Sequence, residues 1–505
     1  MGANFLFDLF SNAIPGRDRV FLETPKGSGV AYGGLFDLSA RIAGALEARG
    51  LMPGDRVAVQ VGKSPAALAL YLATLRAGGV FLPLNPAYTD AELEYFLTDA
   101  APRVFVCDPA RKAGSEILAA ECGVVHVETI DSAGGGSLVD AARDLPADHV
   151  PVARGGDDLA SILYTSGTTG RSKGAMITHA NLASNARTLV EYWHFGPGDV
   201  LLHALPIFHI HGLFVATNVV LLAGASMLFL PRFDLDQVMA LLPRATVMMG
   251  VPTFYGRMMG RHDLTPELCR NMRLFISGSA PLSAELHRAF ASRTGHAILE
   301  RYGMTETGMN TSNPVDGERR AGTVGLPLPG IELRITDLKT GRPLPAGEVG
   351  MIEVRGPNVF AGYWRMPERT VGEFRDGFFV TGDVGMVDAQ GYVAIVGRER
   401  DLIISGGLNV YPAEVEACID EVPGVAECAV IGAPHPDLGE AVVAVVSTRD
   451  GAVLDEAAVL APLAGRLARF KQPKKVIFAE RLPRNTMGKV EKAKLREAYK
   501  DTFAG

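Results

Sequence analysis

Hydrophobic and polar positions alternate in two different rhythms along this chain. In the first part, short apolar runs are followed by longer segments with helical spacing. Arg56-Val57-Ala58-Val59-Gln60-Val61 predicts a buried strand, residues 65–78 a helix, and residues 80–84 the next strand. Arg103-Val104-Phe105-Val106-Cys107 predicts a further strand ending at Asp108-Pro109, and residues 199–230 and 245–259 continue the pattern. Such alternation predicts βαβ units, hence parallel sheet with helices on its faces. After about Gly322 the strands become short and are punctuated by Gly and Pro, with turn signals at Asp376-Gly377 and Gly391. That texture predicts a β-rich module. From Arg398 the alternation returns, with a helix at 412–421 and strands at 428–432 and 441–447. The expected fold class is therefore α/β. A large N-terminal domain, 1–397, carries parallel α/β subdomains and a β-rich module over about 322–397, and a small α+β domain occupies 398–505.

Composition narrows the partners more than the fold. A chain of 505 residues with 48% hydrophobic and 21% charged residues suits more than one core. A net charge of -7 argues against nucleic acid or an anionic membrane as partner. The five cysteines (Cys107, Cys122, Cys269, Cys418, Cys428) form no C-x-x-C pair, which suits a reducing, cytoplasmic setting. The N-terminus has no signal-peptide pattern. The longest apolar stretch, 215–230, contains Thr217, Asn218 and two glycines and reads as buried core rather than a span.

The densest chemistry lies at Tyr164-Thr165-Ser166-Gly167-Thr168-Thr169-Gly170-Arg171-Ser172-Lys173-Gly174. It is expected to follow a strand at 160–163 and to lead into a helix from about His179. Its glycines free the backbone to curl round a tetrahedral anion, while hydroxyls and Lys173 supply donors and charge. The spacing is not that of a Walker A loop.

Four more motifs follow in order: Arg301-Tyr302-Gly303-Met304-Thr305-Glu306, Thr381-Gly382-Asp383, Gly397-Arg398-Glu399-Arg400-Asp401, and Pro483-Arg484-Asn485-Thr486-Met487-Gly488-Lys489. With these the chain resembles the acyl-adenylate-forming superfamily of acyl-CoA synthetases, luciferases and peptide-synthetase adenylation domains, over nearly its whole length. The resemblance implies ATP, Mg2+ and coenzyme A as cofactor and co-substrates. It implies phosphate contacts from Thr165, Ser166, Gly167, Thr168, Thr169, Gly170 and Lys173, and a metal site at Glu306 and Thr165. Tyr302 would stack on adenine, Asp383 would accept the ribose hydroxyls, and Arg398 would contact ribose or phosphate. Ser279, Ala280, Glu300, Arg301, Gly303, Met304 and Thr305 fall along the same nucleotide site. Lys489 would be the catalytic lysine, carried on a mobile C-terminal domain that turns about Asp401. Gly406 and Gly407 would then line a tunnel for the thiol arm. By the same resemblance Lys489 is a target for a protein acetyltransferase and deacetylase.

The acid is harder to read. Within the superfamily the chain looks like the malonyl-CoA synthetases, which act on malonate and methylmalonate, on the strength of Ala204-Leu205-Pro206-Ile207-Phe208-His209-Ile210-His211-Gly212 and Gly250-Val251-Pro252-Thr253-Phe254-Tyr255-Gly256-Arg257. A second carboxylate needs a cation beside it. The resemblance points to Arg257 on a helix beginning near Pro252, with Arg301 as a second cation. His209, Ser279 and Met304 are expected to wall the acyl pocket. Ile210 stands where such relatives often carry Thr, which bears on the size of acid accepted. His209-x-His211 lacks a third ligand for a metal. A ligase for a short fatty or aryl monocarboxylate, and a carrier-loading adenylation enzyme, stay open as alternatives. The second would require a downstream carrier domain, which is not expected in a chain ending at Gly505.

Overall fold

The computed structural model describes residues 3–25, 27, 29–165, 172–449, 451–485 and 489–503. Two large sheets carry the N-terminal part. In the seven-stranded sheet, Arg56–Gln60 pairs in parallel with Val80–Pro83 and Val104–Cys107, and Val104–Cys107 with His126–Thr129. Val80–Pro83 and Val104–Cys107 are apolar and buried throughout, as a sheet covered by helices on both sides requires, while His126–Thr129 is mixed and only partly buried. The helix Pro65–Arg76 covers it, started by Ser64, whose side chain accepts from the Ala67 N–H. The nine-stranded sheet has a parallel centre formed by Val200–His203, Ser226–Phe229, Val247–Gly250, Leu274–Ser277 and Leu299–Met304. Its edges turn antiparallel, at Gly308–Ser312 on one side and Gly29–Ala31 on the other.

The β-rich module is an antiparallel sheet of Glu332–Thr336, Gly350–Arg355, Phe378–Val387, Phe374–Arg375 and Val393–Arg398. Asp376 and Gly377 both have positive φ (52° and 78°), the conformation a two-residue hairpin turn demands. A third, smaller core lies C-terminal to Arg398. There Val425–His435 and Gly439–Thr448 form a long hairpin flanked by Ile403–Ser405, Leu408–Val410 and Lys475–Phe478, with the helices Pro412–Asp420 and Lys492–Ala498 beside it.

The α/β class, the β-rich module and the separate C-terminal α+β unit agree with the sequence expectation. One local connection differs. A strand, Lys173–Thr178, stands between the glycine-rich segment and the helix His179–Tyr192, and it pairs antiparallel with Leu159–Thr165. The segment therefore joins two strands of a hairpin instead of leading from strand to helix. Among the described residues no helix is long and apolar enough to cross a membrane.

Candidate active site

The candidate residues converge where the ends of the two large sheets meet the β-rich module. Ser166, Gly167, Thr168, Thr169 and Gly170 lie outside the described residues. The strands on either side of them are described and place Thr165 opposite Lys173. Thr165 Oγ1 lies 3.4 Å from Glu306 Oε1, and Tyr363 Oη donates to that same oxygen at 3.0 Å. Glu306 is buried in the turn between Leu299–Met304 and Gly308–Ser312, and its backbone carbonyl accepts from Phe360 N at 2.8 Å. Burial raises its carboxyl above the ordinary range, opposed by backbone and Tyr363 hydrogen bonds and by the nearby charges of Arg398 and Lys173. Lys173 Nζ lies 4.2 Å from the centre of the Tyr363 ring and 3.3 Å from Glu373 Oε1. Tyr363 and Glu373 were not singled out from the sequence. The aromatic pair Tyr363-Trp364 after Gly362 is the one signal that could have marked them.

Glu306 and Thr165 present hard oxygen donors, which suit magnesium. Among the described residues no group of three or more His, Cys, Asp or Glu could hold a metal ion. Magnesium needs no such group, because substrate phosphates and water complete its shell.

The expected ribose carboxylate is assembled by strand register. Asp383 and Arg398 are direct cross-strand partners, and Arg398 Nε meets Asp383 Oδ1 at 2.6 Å. Tyr302 Oη donates to Asp383 Oδ2 at 2.6 Å, and the Asp383 N–H is fixed on Thr381 Oγ1 at 3.0 Å. Each carboxylate oxygen keeps a second lone pair for a ligand hydroxyl. Gly303 is held close to the facing strand, where a Cβ would meet Gly308 O at 2.0 Å. Met304 packs on the apolar cluster that contains Tyr302 and Tyr363. Ala280 and Thr305 are half-buried on the loops beside them.

Glu300 is buried and accepts a single described side-chain hydrogen bond, from Leu282 N at 3.2 Å. Burial pushes its carboxyl up to about 8. Between the ordinary value of 4.5 and about 8, the folded chain holds a proton that the unfolded chain has released. This group therefore makes the fold less stable as pH rises across that window. Glu300→Gln keeps the acceptor and removes the charge. It is expected to raise the thermal midpoint at pH 8 by about 2 °C more than at pH 5, read by scanning calorimetry.

Lys489 is exposed as a residue, but its ammonium sits among charged groups of the other motifs. Desolvation by those neighbours, then the charge of Arg398, lower it below the usual lysine range, while Asp383 and Asp401 oppose the shift. Its loop is closed by paired bonds, Asn485 N to Lys489 O at 2.9 Å and Lys489 N to Asn485 Oδ1 at 3.0 Å. Asp401, the expected hinge, is held by Arg496 Nη1 at 2.8 Å. Gly406 and Gly407 form the turn between Ile403–Ser405 and Leu408–Val410, both at positive φ (59° and 79°). Ile404 and Leu408 are exposed beside them.

The two arginines expected near the acid occupy different settings. Arg257 is exposed on the helix Pro252–Met259, 5.9 Å from the Phe233 ring, which stacks on Phe254. Arg301 is buried, and among the described residues its Nε and Nη2 have no hydrogen-bond partner. It lies flat against Gly278, where a Cβ would meet Arg301 Cζ at 2.5 Å. Burial pulls it down to about 9, still a cation at neutral pH. Nearby, His211 Nδ1 meets Ser279 Oγ at 3.2 Å, while His211 Nε2, His209 Nε2 and Ser277 Oγ are buried with no partner among the described residues. Ser279 itself has positive φ (69°), a strained conformation for a non-glycine residue. Burial lowers His209 to about 4, and burial with the Arg301 charge holds His211 well below the usual imidazole range, so both are neutral donors or acceptors. Ile210 faces a different space, a small cavity shared with Asn185, Phe214, Thr305 and Glu306. Orphaned buried polar atoms are rare. Their gathering at the carboxyl ends of parallel strands marks a ligand site.

The sequence model of AMP-binding enzymes matches residues 11–364, and that of the AMP-binding enzyme C-terminal domain matches residues 414–489. The chain belongs to the AMP-binding enzyme family. A feruloyl-CoA synthase of Amycolatopsis sp is 38% identical, the match covering 94% of each chain. A malonate–CoA ligase of Arabidopsis thaliana is 35% identical over 97% of this chain and 88% of its own. The crystal structure of ATP-bound MatB from Rhodopseudomonas palustris superposes with a TM-score of 0.97, at 59% identity and full coverage of both chains. In this AMP-binding enzyme the Thr165–Glu306 pair, the Asp383–Arg398 pair and Lys489 are the candidate residues for a nucleoside triphosphate and its counter-charges.

Proposed function

We propose that this AMP-binding enzyme joins malonate, and methylmalonate as a close analogue, to coenzyme A through a malonyl-adenylate, releasing AMP and pyrophosphate. The observation that carries the choice of acid is Arg301, a buried cation whose Nε and Nη2 have no partner, and which has no counter-ion, among the described residues. A dicarboxylate supplies that counter-ion with one carboxylate and reacts through the other. The malonate–CoA ligase and MatB relatives support the same reading. Feruloyl-CoA synthase, the relative that favours an aryl monocarboxylate, acts on an acid with no second anionic group to meet those donors.

Both reactants of the first step are anions, so the residues act chiefly by charge neutralisation and positioning. Asp383 and Tyr302 would orient the nucleoside, with Arg398 holding the carboxylate in place. Lys489 would bridge the attacking carboxylate and the α-phosphate. Arg301, with His211 and Ser279, would hold the distal carboxylate. Arg257 would add positive charge nearby. Glu306 and Thr165 would hold Mg2+, which supplies charge neutralisation on phosphate oxygens. Turning of residues 398–505 about Asp401 would then withdraw Lys489 and bring the Gly406-Gly407 turn to the thiol. The domain limits, the cytoplasmic setting and control of Lys489 by acetylation, which removes its charge, belong to the same proposal. The test is AMP release by the purified enzyme. It should require malonate, ATP, Mg2+ and coenzyme A together, and release that continues without an acid would contradict the reading.

A further inference from the structure

The wall of the acyl pocket is tied to a lysine from the other half of the domain. Lys63 stands between the strand Arg56–Gln60 of the seven-stranded sheet and the helix Pro65–Arg76. Its Nζ crosses to the nine-stranded sheet and donates to His203 O and Leu205 O, each at 2.8 Å. His203 Nδ1 is also 2.8 Å away, and the Phe229 ring centre 4.3 Å. An ammonium has three donors, and here three acceptors meet it. With Nδ1 accepting, the imidazole proton belongs on Nε2, which lies 2.9 Å from Gly212 O. Thr217 Oγ1 donates to the same carbonyl at 3.0 Å.

Segment 203–212 is thus held at both ends by one side chain. Its entry carbonyls are bonded directly, and its exit carbonyl is bonded through the imidazole. The segment folds back on itself so closely that a Cβ on Gly212 would meet Pro206 O at 2.0 Å. From His211 to Thr217 the chain continues as a π-helix, a wide turn that recurs at functional sites. Between the tied ends stand His209, Ile210 and His211, the residues that face the Arg301 cluster and the cavity beside Glu306.

A lysine in this place is costly, because its ammonium is desolvated without a carboxylate. An apolar side chain could fill the space, but it could not engage three acceptors of this segment. We propose that Lys63 is a positioning residue for the acid: it fixes the shape of segment 203–212 and so the placement of His209, Ile210 and His211. The inference rests on the assignment of that cluster as the acyl site, but not on which acid fills it.

The experiment measures two-substrate steady-state kinetics of the full-length enzyme, using whichever acid the unaltered enzyme turns over best. Failure of the malonate reading therefore leaves this test intact. For Lys63→Met, KM for the acid is expected to rise about tenfold while KM for ATP stays within about twofold. His203→Gln should shift the acid KM in the same direction, and the double variant should add little, because both act on one link. Lys63→Arg, which keeps the donors, should recover part of the loss. A rise in KM for ATP equal to that for the acid, or an unchanged acid KM, would overturn the proposal. If Lys63→Met does not fold, His203→Gln and Lys63→Arg carry the same comparison.

Discussion

Lys489→Ala is expected to slow formation of the acyl-adenylate by about 10²–10³-fold. Coenzyme A should still be acylated from supplied malonyl-adenylate at close to the normal rate. The ammonium of Lys489 lies in the field of Asp383, Arg398, Arg400 and Asp401, beside the expected ribose carboxylate. Negative charge on the α-phosphate and its oxygens grows in the first step, and a preorganised cation stabilises it there. The thioester step builds no comparable charge at that phosphate. Acid-dependent ATP–pyrophosphate exchange reads the first step, and thioester formation from synthetic adenylate reads the second. Equal loss in both assays would contradict the division of labour.

The second large effect is expected at Arg301. Arg301→Met should lower kcat/KM for malonate by about 10²–10³-fold, because the distal carboxylate then enters a buried site with no counter-charge. The same substitution should raise the thermal midpoint of the ligand-free protein. It removes a buried cation whose Nε and Nη2 have no partner among the described residues, and puts an apolar side chain of similar length in the place beside Gly278. Lost activity with gained stability distinguishes a ligand-binding arginine from a structural one. If both fall together, Arg301 holds the fold and not the acid.

The candidate nucleotide residues stand out in the sequence because their chemistry is local. Gly, Ser, Thr and Lys crowd into one short segment, and Asp383 and Arg398 sit in compact motifs. The strand Lys173–Thr178 was not legible, since Lys173-Gly174 reads as the tail of a loop and only pairing with Leu159–Thr165 makes it sheet. Arg257 and Arg301 look alike in the sequence, each within two residues of a tyrosine. Burial separates them, and burial depends on how Leu299–Met304 packs against Leu274–Ser277. Lys63 was invisible for the same reason. In Gly62-Lys63-Ser64-Pro65 it reads as a surface lysine before a helix, and its three acceptors lie about 140 residues away in the sequence. The pairing of Tyr302 with Asp383 likewise emerges only when the β-rich module folds against the larger sheet.

In the proposed reaction a buried cation selects a dicarboxylate for adenylation and transfer to coenzyme A. The most direct measurement offers the enzyme an equimolar mixture of malonate, acetate, butyrate and benzoate with ATP, Mg2+ and coenzyme A, and identifies the thioesters formed by mass spectrometry. Malonyl-CoA as the dominant product is the predicted result; acetyl-, butyryl- or benzoyl-CoA in equal or greater amount would contradict it.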